Sequence, residues 1–244
     1  MKYIAWCSYG KDSLAMLLKI LELGLPLDEV VYCDIRFNEK SLSGETPEMA
    51  EWIPQAEKIL KDKFNIKVKH ITSRWTFNHH FYRIKRKGNH IGDNYGFPYV
   101  VGAWCNSRLK LEPINKYVNK YLKSGESVTE YIGIAKDEYK RLARYKKLET
   151  EKHKYITLAD FNITEIEAME ICKQHNLLSP IYKSSFRGGC WFCPKQNIKQ
   201  LECLCINHPE LWQVLKEMEK DSHNTFKPNI TLTELEKRFK KEKL

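Results

Sequence analysis

Short unbroken apolar runs alternate with longer stretches of helical spacing over about the first two-thirds of the chain. Residues 2–7 read as a buried strand. Leu14, Ala15, Leu17, Leu18 and Leu21 then recur on one helical face until Gly24 closes the helix. Residues 29–34 (Glu-Val-Val-Tyr-Cys-Asp) predict a second buried strand, followed by a polar loop over 35–45. A helix is predicted over 46–64, with Thr46 as cap and Pro47 in its first turn; Pro54 is expected to kink or split it. Residues 66–72 and 128–135 are the third and fourth strand candidates. Residues 75–104 are rich in His, Tyr, Arg and Gly and show little periodicity. From Thr164 onward the pattern is helical, over 164–175, 195–205, 209–221 and 231–241.

Strands separated by helices imply parallel pairing and ligand binding at the carboxyl ends of the strands. The expected fold class is therefore α/β, a doubly wound and mostly parallel sheet with a helical C-terminal extension. The expected division is a nucleotide-binding domain over 1–178 and a helical region with a CxxC turn over 179–244. Three chemistry-bearing groups fall at strand ends: the first strand's loop, Asp34, and Lys136-Asp137-Glu138.

The first of these loops, Trp6-Cys7-Ser8-Tyr9-Gly10-Lys11-Asp12-Ser13, joins a strand to a helix N-terminus. Free backbone N–H groups and the positive end of the helix dipole suit that place to an anion. Ser8 and Ser13 add hydroxyls, Lys11 adds charge, and Gly10 permits close approach, so phosphate is the natural guest. A Walker A loop is excluded by Ala5 and Asp12, and a GxGxxG loop by the single glycine. The structural alternative is a polar turn in which Asp12 or Ser13 is only an N-cap.

Composition narrows the setting. The 244 residues suit one large α/β domain, or one with a helical appendage. There is no run of 18 or more apolar residues and no signal-peptide pattern, so a soluble cytoplasmic protein without a membrane partner is expected. Eight cysteines in that setting are expected to be reduced, and clustered ones point to metal or sulfur chemistry. The net charge of +10 fits a polyanionic partner without establishing one. Arg83, Lys85, Arg86 and Lys87 lie among aromatics, either as a nucleic-acid contact or lid, or as a solvated face.

Cys190 and Cys193 form a CxxC turn after Gly188-Gly189, the kind of knuckle that presents two thiolates to one metal. Cys105 is the first candidate for a third ligand. Cys203, Cys205 or His208 could supply a fourth, and of Cys203 and Cys205 at most one should join. Zinc and an iron–sulfur cluster both accept such ligands, while a redox dithiol or plainly buried thiols are the alternatives. Cys7, Cys33 and Cys172 lie in apolar patterns and are expected in the core.

Five ordered blocks over roughly residues 1–215 carry a wider resemblance. The first-strand loop resembles the SGGxDS pyrophosphate loop of the N-type ATP pyrophosphatases, with Tyr9 in place of the first Gly. Asp34 with Gly44-Glu45-Thr46-Pro47-Glu48, Trp104-Cys105 through Lys110 to Pro113, and Gly133-Ile134-Ala135-Lys136-Asp137-Glu138 with Arg141 follow in order. So does Ser185-Phe186-Arg187-Gly188-Gly189-Cys190-Trp191-Phe192-Cys193-Pro194. Together they resemble segments of the phosphoadenosine phosphosulfate (PAPS) reductase-like family. The resemblance implies an adenine nucleotide α-hydrolase (HUP-type) fold that binds ATP, or PAPS, with Mg²⁺. Ser8, Tyr9, Gly10, Lys11, Asp12 and Ser13 would hold the phosphates, and Asp34 and Gly133 would border the nucleotide. Lys11, Asp12, Lys110 and Arg141 would serve catalysis, with Asp12 or Asp34 near the Mg²⁺. Cys105, Cys190 and Cys193 fall in these blocks and, with Cys203 taken from the cysteine pattern as the fourth, are the expected ligands of an iron–sulfur cluster or zinc.

Three departures qualify the carry-over: Tyr9 for Gly, Ala135 for Arg, and a single Cys105 where cluster-bearing members have adjacent cysteines. No cysteine follows Cys205 in this sequence, so the catalytic cysteine of true PAPS reductases is not expected. The resemblance thus favours cleavage at the α-phosphate of ATP with pyrophosphate release, in sulfur transfer or modification of a nucleic acid such as tRNA or DNA. A sulfur donor protein would be a partner, and an oligomer is compatible with the sequence. Thiol-dependent PAPS reduction and a non-catalytic nucleotide-binding subunit are the alternatives.

Overall fold

The computed structural model describes residues 1–40, 42–98, 103–183 and 188–241. Its first part alternates β1 (Lys2–Trp6), α1 (Lys11–Glu22), β2 (Glu29–Asp34), α2 (Pro47–Phe64) and β3 (Val68–Thr72). There follow α3 (Phe77–Phe81), α4 (Glu112–Lys123), β4 (Val128–Ile132), α5 (Tyr139–Lys146), β5 (His153–Thr157) and α6 (Glu165–Gln174). Helices α7 (Ile198–Asn207), α8 (Pro209–Asp221) and α9 (Leu232–Lys241) complete the chain. All strand pairs are parallel, in the order β3-β2-β1-β4-β5.

The apolar runs become strands because both sheet faces are covered. Ala5, Cys7, Val30, Tyr32 and Tyr131 pack on one face with residues of α1, α2 and α6. Ile4, Val31 and Val128 pack on the other with Val118, Tyr117, Tyr121 and Leu122 of α4. The sheet is therefore doubly wound, as the strand–helix alternation predicts. Helix α1 is buried almost all round, and each fully buried leucine on it contributes about 2–3 kcal/mol of transfer free energy.

Two local expectations are corrected. Pro54 does not split α2, which runs unbroken over Pro47–Phe64. Pro54 lies on the exposed side, while Met49, Trp52, Ile53, Ala56 and Leu60 are buried and hold the helix down. Residues 133–135 are not strand. Ile134 N–H bonds back to Ile132 O at 2.8 Å, ending β4 in a tight turn.

The chain forms two compact units, each assembled from separate stretches. The first comprises Met1–Asp34, Pro47–Thr72 and Glu112–Gly188; the second comprises Ile35–Thr46, Ser73–Leu111 and Gly189–Leu244. The second therefore draws on residues well before position 179. Its core is aromatic, with Phe37, Phe77, Phe97, Trp191, Trp212 and Phe226 buried together. No described helix is long and apolar enough to cross a membrane.

Candidate functional site

Strand order reverses between β1 and β4, so the loops after these two strands meet at the topological switch point of the first unit. Gly133, just after β4, shows how closely. A Cβ there would lie 2.6 Å from Ser13 N and 2.7 Å from the Asp12 carbonyl carbon. Only glycine lets the β4 loop rest on the first turn of α1.

The loop between β1 and α1 closes on itself. Ser13 Oγ donates to Gly10 O at 3.0 Å and accepts from Ser8 N–H at 3.1 Å, with Ser8 Oγ 3.2 Å away. Gly10 is the N-cap and makes no side-chain cap bond, so neither Asp12 nor Ser13 caps α1. Lys11 N–H donates to the Tyr182 hydroxyl at 2.9 Å. Ser8 remains exposed at the loop's rim.

Tyr9 takes φ = +56°, the left-handed conformation that glycine adopts without strain. An aromatic residue held there costs on the order of 1–3 kcal/mol. Burial offsets that cost: Tyr9 is 0% exposed, and its ring meets Tyr32 edge-on at 4.9 Å. Its hydroxyl donates to Glu57, whose carboxylate also meets His70 Nε2. The side chain thus leaves the loop's rim and anchors the turn from beneath. Burial, Cys7 and the Glu57 carboxylate keep this phenol protonated at all ordinary pH. Asp34, at the end of β2, acts on the same phenol, and its carbonyl accepts from Thr72 Oγ1 at 3.0 Å.

Beside the loop stand three carboxylates. Asp12, Glu138 and Glu165 each place an oxygen within 4.8 Å of the others', the only such group of three His, Cys, Asp or Glu among the described residues. The Lys11 ammonium reaches Asp12 at 2.7 Å and Glu165 at 3.1 Å. Burial opposes its charge, yet these two partners hold Lys11 above the ordinary lysine value. Asp12 is pushed up by burial, pulled down by Lys11, and pushed up again by Glu165 and Glu138; the net shift is upward. Arg141 pairs with Glu138, which also accepts from Ala135 N–H at 3.3 Å. Ala135 itself is buried in the core, where an arginine would not fit. Three hard oxygen donors with one internal lysine fit a divalent cation such as Mg²⁺.

Cys7 and Cys172 are raised by burial to about 12, and the Cys172 thiol donates to Lys11 O at 3.1 Å. These are inert core thiols, as is buried Cys33.

The second unit holds the other cysteines. Segment 43–46 pairs with the CxxC turn: Trp191 N–H donates to Gly44 O at 3.0 Å, and Thr46 N–H to Gly189 O at 3.3 Å. Gly44 is needed there, because a Cβ would lie 2.6 Å from Ile35 O. Cys105, Cys190 and Cys193 share one electrostatic neighbourhood. Burial raises Cys105 to about 11 and Cys190 higher still, while Lys110 pulls both back down. Lys110 sits on a π-helical turn, Asn106–Leu111, directly after Cys105. Cys203 lies on α7, where its Sγ accepts from Asn207 at 3.2 Å. Ser185, Phe186 and Arg187, which precede the CxxC turn, lie outside the described residues.

Glu165 and Tyr182 are site residues that sequence reasoning missed. They lie 154 and 171 positions from Lys11, and their local patterns signal only a helix start and a turn. Glu138 was visible as a strand-end acid but not as a partner of Asp12.

No family model matches the chain. An uncharacterised nin-region protein of Escherichia phage lambda is 34% identical over 130 residues, covering 53% of this chain and 41% of its own length. An uncharacterised protein of Methanocaldococcus jannaschii is 25% identical over 232 residues, covering 89% of this chain and 42% of its own. The chain thus spans about two-fifths of the length of these curated relatives. Among solved structures, the U34-tRNA thiolase NcsA from Methanococcus maripaludis with its 4Fe–4S cluster aligns at 16% identity and a TM-score of 0.40. That alignment covers 90% of this chain and 71% of that one.

Proposed function

We propose that this protein is an ATP pyrophosphatase of the PAPS reductase-like kind, which adenylates an acceptor and releases pyrophosphate. The observation that carries the reading is a self-closed anion loop at the switch point, set against three convergent carboxylates. Carboxylates beside a phosphate loop repel the substrate unless a cation stands between them. Their presence with Lys11 therefore argues for a nucleotide delivered with Mg²⁺.

In this scheme Ser8, Ser13 and the amides of Tyr9, Gly10, Asp12 and Ser13 bind the β- and γ-phosphates, while Asp34 and Gly133 border the nucleoside. Bound Mg²⁺ would lie against Asp12, Glu138 and Glu165 and supply charge neutralisation at the phosphates. An acceptor oxygen attacks the α-phosphorus, and the bond to the α–β bridging oxygen breaks. Pyrophosphate leaves with that electron pair, its charge offset by Lys11. Arg141 orients Glu138. Lys110 favours the thiolate forms of Cys105 and Cys190, a preparation for binding zinc or an iron–sulfur cluster together with Cys193. Cys203, one of the fourth-ligand candidates in the cysteine pattern, is the proposed fourth ligand. Sulfur transfer is the downstream chemistry such a centre would serve.

Pyrophosphate release from ATP and Mg²⁺ is the test. The wild-type protein should release it, and Asp12→Ala should fall to the level of a blank. Equal release by both would overturn the reading. A second reading, nucleotide binding without turnover, has one observation in its favour: the Tyr182 hydroxyl already occupies the Lys11 N–H. Tight ATP binding with no product, in Tyr182→Phe as in wild type, would select it.

A further inference from the structure

The second unit carries an open pocket of about 680 Å³ that the adenylation chemistry leaves unused. Asn38, Lys40, Asn78, His79, Tyr82 and Arg83 line it. Its one carboxylate, Glu39, accepts from Thr76 Oγ1 at 3.0 Å, so the remaining lining is neutral or cationic. That volume is in the range of pockets that enclose a small organic ligand.

The rim is aromatic. Trp75 stacks flat on His79, with centroids 4.0 Å apart and planes 11° apart, and the Arg74 guanidinium lies 4.7 Å from the centre of the same indole. Trp75 is 40% exposed and Tyr82 43%. In the pocket wall, Asn78 keeps its Oδ1 buried and without a hydrogen-bond partner. Residues 73–111 hold seven Lys and Arg against a single acid, Asp93. Arg83, Arg86 and Lys87 are all exposed.

A solvated basic face explains the charge but not the exposed indole stacked beside a cavity. Positive charge with stacking platforms is the combination that holds unpaired nucleotides: the cations track the backbone, and the aromatics take the base. We propose that this pocket and the Trp75–His79 stack bind an unpaired nucleotide of a polynucleotide. The ligand class is single-stranded nucleic acid, either RNA or DNA.

Fluorescence anisotropy with end-labelled oligonucleotides tests this without ATP, so its outcome is separate from that of the pyrophosphate assay. Single-stranded RNA, single-stranded DNA and a duplex of the same sequence are titrated with the full-length protein at several salt concentrations. One single strand at least should bind more tightly than the duplex, and the preferred strand identifies the source. Trp75→Ala should weaken that binding about tenfold, and Trp75→Phe should restore most of it. Lys40→Ala with Arg83→Ala should make the salt slope shallower by about 1.4. Trp75 is exposed, so its replacement should leave the thermal midpoint in place, and pyrophosphate release should be unaffected. No binding, equal binding of duplex and single strand, or an unchanged affinity in Trp75→Ala would each overturn the proposal.

Discussion

At the scale of single residues, Tyr9 shows how a side chain can replace glycine where backbone geometry demands one. The φ of +56° is retained, and a buried ring with a Glu57–His70 contact compensates for it. Tyr9→Phe should therefore lower stability by about 1 kcal/mol, since it strands partners that are themselves part-exposed. Tyr9→Gly removes the strain but also the ring. A net loss of about 2–4 kcal/mol is expected from the usual cost of deleting a buried aromatic. Urea midpoints check both. A Tyr9→Gly protein as stable as wild type would show that the ring does no more than offset the strain. The loop's serines, Lys11 and Asp12 were legible as a candidate anion loop because they follow directly on a buried strand. Tyr9's role was not, because its partners lie 48 and 61 positions away.

At the scale of elements, the first two strands and α1 could be read directly from unbroken apolar runs and a clean helical stripe. β5 and α5 could not. β5 reads His-Lys-Tyr-Ile-Thr, with little apolar signal, and His153 meets the buried Glu130 carboxylate of the neighbouring strand through its Nε2. α5 has no buried residue at all, so no apolar stripe announces it. The contact between the β4 loop and α1 is the element-level feature on which the site depends. Gly133→Ala should push the two apart, costing about 1–3 kcal/mol of stability by overpacking. Nucleotide affinity should fall with it, measured by equilibrium binding of ATP. Unchanged affinity would separate the β4 loop from the nucleotide site.

For the molecule as a whole, electrostatics links pH to the divalent cation. Asp12 is raised above the ordinary aspartate value because burial and the neighbouring acids outweigh Lys11. A carboxyl raised by folding favours the protonated state, so it detracts from stability as pH rises through its folded pKa. A cation that requires the carboxylate reverses that sign. Magnesium affinity should therefore rise with pH as Asp12 deprotonates and level off only above the ordinary aspartate value. Calorimetric titrations across that pH range should show it, and Asp12→Asn should flatten the dependence. A pH-independent affinity in wild type would mean that Asp12 is not a ligand.

The interleaving of the two units along the chain bears on how the protein is made. During synthesis, Phe37, Phe77 and Phe97 leave the ribosome long before Trp191, Trp212 and Phe226, the residues that share their core. A growing polypeptide thus carries half of an aromatic interior with nothing to cover it until the last quarter arrives. That interval is when the nascent protein is most exposed to aggregation and most in need of a chaperone.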